Sequence, residues 1–368
     1  MNAPTLSGMR ITLPAAAGRL ESFVLSEPRA YPDKAKGGFN RLALAAAHVV
    51  ADATAANDPW LECALDWDRT IAYREYLWDL GLGVAEAMDT AQRGMGLDWP
   101  TSLELIGRAT RAAKAWEARN GRPAPLFCGC GTDHLDPQRV HTLDDVLAAY
   151  DEQMAAIEAV GGRLIVMASR ALARIAKSPA DYERVYQRVL AQAGNPVIIH
   201  WLGEMFDPAL AGYWGHSDHR HAIESVLGVI AANAGKVDGI KISLLDKDKE
   251  IVMRRQLPAG VRMYTGDDFN YAELIAGDAH GHSDALLGIF DAIAPAASAA
   301  LGALAAGDRR QYEAIFEPTV PLSRHIFKAP TRFYKTGVVF MAYLNGLQDH
   351  FVMVGGQQSA RSLVHLSE

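Results

Sequence analysis

Along this chain a short apolar run of strand character repeatedly gives way to a longer stretch with helical periodicity. That alternation limits the fold more than any other feature. The runs lie at 42–50, 83–88, 125–130, 163–168, 196–202, 237–243, 260–265 and 285–290, and amphipathic segments at 68–80, 101–119, 142–160, 179–193 and 219–234 lie between them. Strands separated by helices pair in parallel, because a parallel neighbour can be reached only by a long crossover. Eight such units over roughly 250 residues have the dimensions of a (β/α)8 TIM barrel. Before it, Arg10-Ile11-Thr12-Leu13 and Leu20-Glu21-Ser22-Phe23-Val24-Leu25 flank a glycine-containing turn and predict an N-terminal β-hairpin. After it the chain is alanine-rich and helical in period, with breaks at Pro318, Pro321 and Pro330. The expected organisation is a hairpin extension over 1–39, a barrel over 40–295, and extra C-terminal helices over 296–368 packed on the barrel.

The sixth run, Val237-Asp238-Gly239-Ile240-Lys241-Ile242-Ser243, contains one residue at odds with burial. Parallel strands are covered on both faces, so a lysine there must point into a cavity, be neutralised, or reach solvent from the strand end. Burial lowers a lysine's pKa and turns its amine into a nucleophile able to form a Schiff base with a carbonyl.

In a barrel of this kind the chemistry sits at the carboxyl ends of the strands. Those ends offer His48 and Asp52, then Asp89, Thr90, Gln92 and Arg93, then Thr132, Asp133 and His134, then Ser169 and Arg170. The later strands offer His200, Lys241 and Ser243, and Thr265, Asp267 and Asp268; His280, His282 and Ser283 lie in the loop before the eighth.

Charge and cysteine usage exclude several classes of function. With 36 basic and 43 acidic residues the net charge is -7, which gives no nucleic-acid footprint and no basic membrane face. Three cysteines, Cys63, Cys128 and Cys130, make no disulfide framework, and Cys-Gly-Cys lacks the spacing of common zinc pairs. The first residues show no basic region followed by an apolar core, and no window offers about twenty uninterrupted apolar residues. A soluble, cytoplasmic protein without an export signal is expected.

Several segments, in order, resemble parts of the dihydrodipicolinate synthase and N-acetylneuraminate lyase superfamily of class I aldolases, from about residue 40 to about residue 350. Gly81-Leu82-Gly83-Val84-Ala85-Glu86-Ala87-Met88-Asp89-Thr90-Ala91-Gln92-Arg93 stands where that superfamily has Gly-Thr-Thr-Gly-Glu. Phe127-Cys128-Gly129-Cys130-Gly131 is similar to its third strand, and Pro196-Val197-Ile198-Ile199-His200 to its strand ending in tyrosine. Gly239-Ile240-Lys241 resembles the segment around its Schiff-base lysine, and Thr265-Gly266-Asp267-Asp268 its Ser-Gly-Asp-Asp. The stretch from Glu86 to Trp99 further resembles the branch called DUF993.

The resemblance implies a lyase, aldolase or related dehydratase in which Lys241 forms a covalent imine and no other cofactor is needed. It places His200 where the tyrosine relays protons; an imidazole titrating near neutrality can do that work, although a strand histidine is often a satisfied core residue. Thr90 matches the first threonine of the turn and would assist. The second threonine, which holds the carboxylate of pyruvate, is Ala91 here. Arg93 can clamp a carboxylate instead, or can hold its loop through an ion pair. Asp89, Gln92, Ser243, Asp267, Asp268, His280 and His282 complete the expected substrate-binding set. With the threonine lost and so many hydrogen-bonding groups present, a keto-sugar or sugar acid fits better than bare pyruvate. Relatives commonly form dimers or tetramers, so a homodimer or homotetramer is expected, with the apolar residues beyond 290 supplying the patch.

Two other readings stay open on the sequence. His216, His219 and His221 lie together, with His280, His282, Asp267 and Asp268 as further donors, and such a set suits a divalent metal in a sugar isomerase or lyase. No standard metal signature is present, and loop histidines are often only polar surface. The third reading is a barrel that binds a ligand without catalysis.

Overall fold

The computed structural model describes residues 8–35 and 37–368; the first seven residues of the expected N-terminal extension, and Lys36, lie outside them. Two strands, β1 (Arg10–Pro14) and β2 (Leu20–Val24), pair antiparallel with Arg10 opposite Val24, giving the hairpin the sequence predicts. Its turn is made by Ala17 and Gly18, both with positive φ.

A closed parallel barrel follows. Its first half runs β3 (Ala43–Ala46), α1 (Trp67–Asp79), β4 (Gly83–Glu86), α2 (Trp99–Asn120), β5 (Leu126–Cys130), α3 (Leu143–Ala159) and β6 (Arg163–Met167). The second half runs α4 (Arg170–Ile175), α5 (Pro179–Gln192), β7 (Val197–Leu202), α6 (His219–Ala232), β8 (Val237–Ser243), α7 (Lys247–Arg254), β9 (Arg262–Thr265), α8 (Tyr271–Ala276) and β10 (Asp284–Leu287). Then come α9 (Ile289–Ala292), α10 (Ala294–Ala305), α11 (Arg309–Phe316), α12 (Thr319–Ile326), α13 (Tyr334–Leu344) and α14 (Leu363–Ser367). β10 pairs with β3 and closes the ring.

The helices start where the sequence supplies caps. Asp66 accepts from the Arg69 N–H ahead of α1, Asp98 from the Thr101 N–H ahead of α2, and Thr142 forms a capping box with Asp145 at α3. The first and last barrel strands are shorter than their apolar runs. β3 stops at Ala46, because the His48 N–H turns away to an Asp291 carboxylate oxygen at 2.7 Å. β10 stops at Leu287, where Gly288 takes helical angles and the apolar run continues as a helix.

The barrel interior is filled by Leu44, Ala46, Ala85, Met88, Phe127, Ile165, Met167, Ile198, Tyr264 and Leu286. Gly239 leaves room for this layer, since a Cβ there would lie 2.6 Å from the Tyr264 ring. Outside the strands, Arg74 of α1 forms a fully buried bidentate pair with Glu86 of β4, at 2.8 and 2.9 Å. The third Arg74 nitrogen donates to the His48 carbonyl at 2.5 Å.

Apolar residues beyond 290 turn mostly inward: Leu301, Phe316, Phe327 and Val338 share one core cluster with Leu77, Val84 and Leu287 of the barrel. Large exposed apolar side chains stand on the hairpin at Leu20, Phe23 and Val24, and also at Trp60, Leu61, Leu344 and Leu363. No helix among the described residues is long and apolar enough to cross a membrane.

Candidate active site

In the barrel lining, side chains on adjacent strands point the same way when their residues pair in register. Lys241 on β8 pairs with His200 on β7 and with Tyr264 on β9, and Tyr264 is an interior residue. Lys241 therefore points into the barrel rather than to the helical layer, and it is 7% exposed. The glycine in Thr265-Gly266-Asp267-Asp268 is explained by this lysine. A Cβ on Gly266 would lie 2.7 Å from Lys241 Cε and 2.3 Å from Ser243 Oγ, so only glycine lets the strand end pass the side chain.

Burial lowers the Lys241 pKa, and the carboxylates of Asp268 and Asp89 partly offset that. The Asp268 carboxyl is pushed up to about 7 by burial, against the opposing pull of the Ile289 N–H and the Lys241 cation. A lysine with a lowered pKa beside a carboxyl with a raised one is an arrangement rarely needed for packing alone.

His200 is buried, with its Nε2 3.4 Å from Ser243 Oγ and, among the described residues, no partner for its Nδ1. It does not titrate near neutrality as the sequence suggested. Burial and the neighbouring Lys241 cation hold its pKa well below the usual histidine value, so at pH 7 it is a neutral imidazole. Thr90 does not reach His200 either: its hydroxyl lies 2.7 Å from that of Tyr334 on α13.

The remaining expected ligands divide. Asp89 and Arg93 line a cavity of about 180 Å³ with His200, Met167 and Arg170. That is below the roughly 300–1,000 Å³ of sites for drug-sized ligands and suits a small metabolite. The Arg93 guanidinium is held by Asp133 with Nε–Oδ2 at 2.9 Å, and it also donates to Gly129 O and Gln153 Oε1 at 2.8 Å. The loop-holding alternative for Arg93 is thus the one its contacts support. Burial opposes the Asp133 charge, but the Arg93 cation overcomes this and keeps Asp133 below the ordinary carboxylate range.

Gln92 donates to the Val354 and Met95 carbonyls and staples a loop, with positive φ. Asp267 spends both oxygens on its own turn, accepting from the N–H groups of Phe269 and Asn270 and from Asn270 Nδ2. His280 and His282 are exposed and precede β10, at the amino end of its strand and so on the face opposite the mouth. They are not part of the constellation.

The histidine cluster does not converge. His216 Nε2 meets Ser225, His219 Nε2 meets Glu204 at 3.4 Å, and His221 Nδ1 meets Asp218. Asp218 caps α6, which explains its closeness to His221. Among the described residues no group of three or more His, Cys, Asp or Glu is placed to hold a metal ion.

Three features of the mouth were not legible as site residues. Asp291 of α9 accepts from His48 Nδ1 at 2.8 Å, while His48 Nε2 is buried with no partner among the described residues. Tyr334 and Lys335 reach the mouth from α13 and line an adjoining cavity with Asp89, Arg170 and Arg332. Their signal was the one that exposed Lys241, a cation within an apolar run, here Tyr334-Lys335-Thr336-Gly337-Val338-Val339-Phe340. Backbone strain also gathers here, since Ala87 and Leu245, just beyond β4 and β8, hold positive φ without being glycine.

Comparison with known proteins gives the family and the fold. The family model described as "Protein of unknown function (DUF993)" matches residues 11–368. A sequence search among curated proteins gives no match. Among solved structures, a putative dihydrodipicolinate synthetase of Pseudomonas aeruginosa superposes with a TM-score of 0.63 at 17% identity, covering 89% of this chain and 98% of that one. A dihydrodipicolinate synthase of Bacillus anthracis gives 0.63 at 15% identity, covering 89% and 97%. The enzyme of Acinetobacter baumannii, in complex with pyruvate, gives 0.60 at 15%, covering 85% and 91%. At these identities the likeness is one of fold.

Proposed function

From a chain that belongs to the DUF993 family and shares the fold of the dihydrodipicolinate synthases, we infer a class I lyase, an aldolase or a related dehydratase, in which Lys241 forms the imine. The observation that carries the reading is a lysine inside the barrel, its pKa lowered by burial, next to a carboxyl that titrates at about 7. In its neutral form Lys241 attacks a ketone or aldehyde carbon. Asp268, present in both protonation states near neutrality, gives the proton with which the carbinolamine oxygen leaves as water. The protonated imine then draws electrons from the adjacent carbon while the neighbouring bond breaks. His200, neutral and with Nδ1 unpartnered, is the proton acceptor for that step. Thr90 acts through its pair with Tyr334, and Asp89 and Ser243 hold substrate hydroxyls. The substrate is a keto-sugar, sugar acid or 2-oxo acid; the pyruvate bound to the relative from Acinetobacter baumannii supports the 2-oxo acid end of that range. A homodimer or homotetramer using the exposed hairpin face accompanies this reading, and light scattering tests it.

The test is covalent trapping. Borohydride with pyruvate or dihydroxyacetone should add the reduced ligand to Lys241, and Lys241→Ala should remove the adduct while circular dichroism stays native. A folded wild-type protein that takes up no adduct from any carbonyl compound would favour a ligand-binding barrel without catalysis.

A further inference from the structure

Lys335 stands on the first turn of α13, 4% exposed, and lines the cavity beside the mouth together with Asp89, Arg93, Arg170, Asp207 and Arg332. Four cations thus face two carboxylates. Arg93 is occupied by Asp133 and Arg170 by Asp207. Among the described residues the Lys335 amine reaches only uncharged acceptors, Met95 Sδ and Arg332 O, both at 3.2 Å. A buried ammonium without a counter-ion is destabilising, and a bound anion would supply the missing charge. Burial lowers the Lys335 pKa to about 8, with Asp89 and Asp207 opposing and Arg170 and Arg332 assisting. It therefore remains largely protonated at neutral pH. Asp89 lines this cavity and also the one that His200 lines, and His200 pairs in register with Lys241, so the two lysines flank adjoining spaces at the barrel mouth.

We propose that Lys335, with Arg332 and Arg170 beside it, binds the anionic group, carboxylate or phosphate monoester, of the carbonyl compound that Lys241 attacks. The substrate is then an anionic keto compound, and the C-terminal helices contribute its recognition. This rests on the imine reading for the carbonyl end and on the cavity alone for the anion end.

Two arms test the two ends. Calorimetric titration with inorganic phosphate and with acetate needs no imine. Wild-type protein should bind one of them at about pH 6.5 and about tenfold more weakly at about pH 9.5, above the Lys335 pKa; the anion preferred distinguishes phosphate from carboxylate. Lys335→Met should weaken binding by about tenfold or more, and Lys335→Arg should retain it. Binding by Lys335→Met at the wild-type level, or no binding of either anion by wild type, would overturn the anion site. The second arm traps Lys241 with dihydroxyacetone phosphate and with dihydroxyacetone: the C–N bond forms, water leaves, and hydride from borohydride reduces the imine. Wild type should favour the charged member at about tenfold lower concentration, and Lys335→Met should bring the ratio to about one. An unchanged ratio would overturn the proposal. If neither compound forms an adduct while phosphate still binds, the imine reading fails and the anion site stands.

Discussion

The reactivity of Lys241 follows from opposed influences, burial against the charges of Asp268 and Asp89. Imine formation needs the neutral amine, so the pH at which adduct forms reports that balance. In Asp268→Asn one of the two attractions that favour the ammonium is gone. The midpoint of the trapping rate against pH should therefore move to lower pH, by about one unit for the loss of a close opposite charge. A midpoint that stays or rises would mean that Asp268 does not act electrostatically on the lysine. Lys241 was legible in the sequence because it interrupts an apolar strand. The state of His200 was not, because its low pKa comes from burial and from a cation on the neighbouring strand. His280 and His282 were misplaced because a loop that precedes a parallel strand opens on the opposite face from one that follows it.

At the scale of elements, the strand–helix alternation foretold the barrel and the sixth-strand position of the lysine. Strand ends were harder to read: the runs at 42–50 and 285–290 stay apolar beyond β3 and β10, where a carboxylate of α9 and a helical Gly288 end the strands. Two contacts between elements should prove sensitive. Gly266→Ala places a Cβ within 2.7 Å of Lys241 Cε and still closer to Ser243 Oγ. It should lower stability by about 1–3 kcal/mol in urea unfolding and reduce Lys241 adduct formation, because the lysine must shift. Arg74→Met leaves Glu86 charged and buried, with the Ala87 N–H the only remaining donor among the described residues. Its loss should be larger, about 3–5 kcal/mol, and an unfolding midpoint like that of wild type would show that the pair contributes little.

Across the whole molecule, the C-terminal helices are both core and site. Phe316, Phe327, Tyr334 and Val338 pack in one cluster with barrel residues, and Tyr334 and Lys335 of the same segment also line the cavity at the mouth. Periodicity shows the packing face of such helices but not which barrel end they cover, so the place of Lys335 is not legible in the sequence. Its burial has a consequence for the stability of the entire fold. An unfolded lysine titrates at 10.5, whereas Lys335 in the fold titrates at about 8. Between those values the unfolded chain binds more protons than the folded one, so stability rises with pH across that window. Below about 8 both states are protonated and the full penalty remains, on the order of 3 kcal/mol. Lys335→Met keeps most of the side-chain volume and removes the charge. It should therefore be more stable than wild type in chemical denaturation at pH 7, with the gain shrinking as pH approaches 10.5. A variant less stable than wild type at pH 7, or a gain that does not change with pH, would show that Lys335 is not carried as a buried cation.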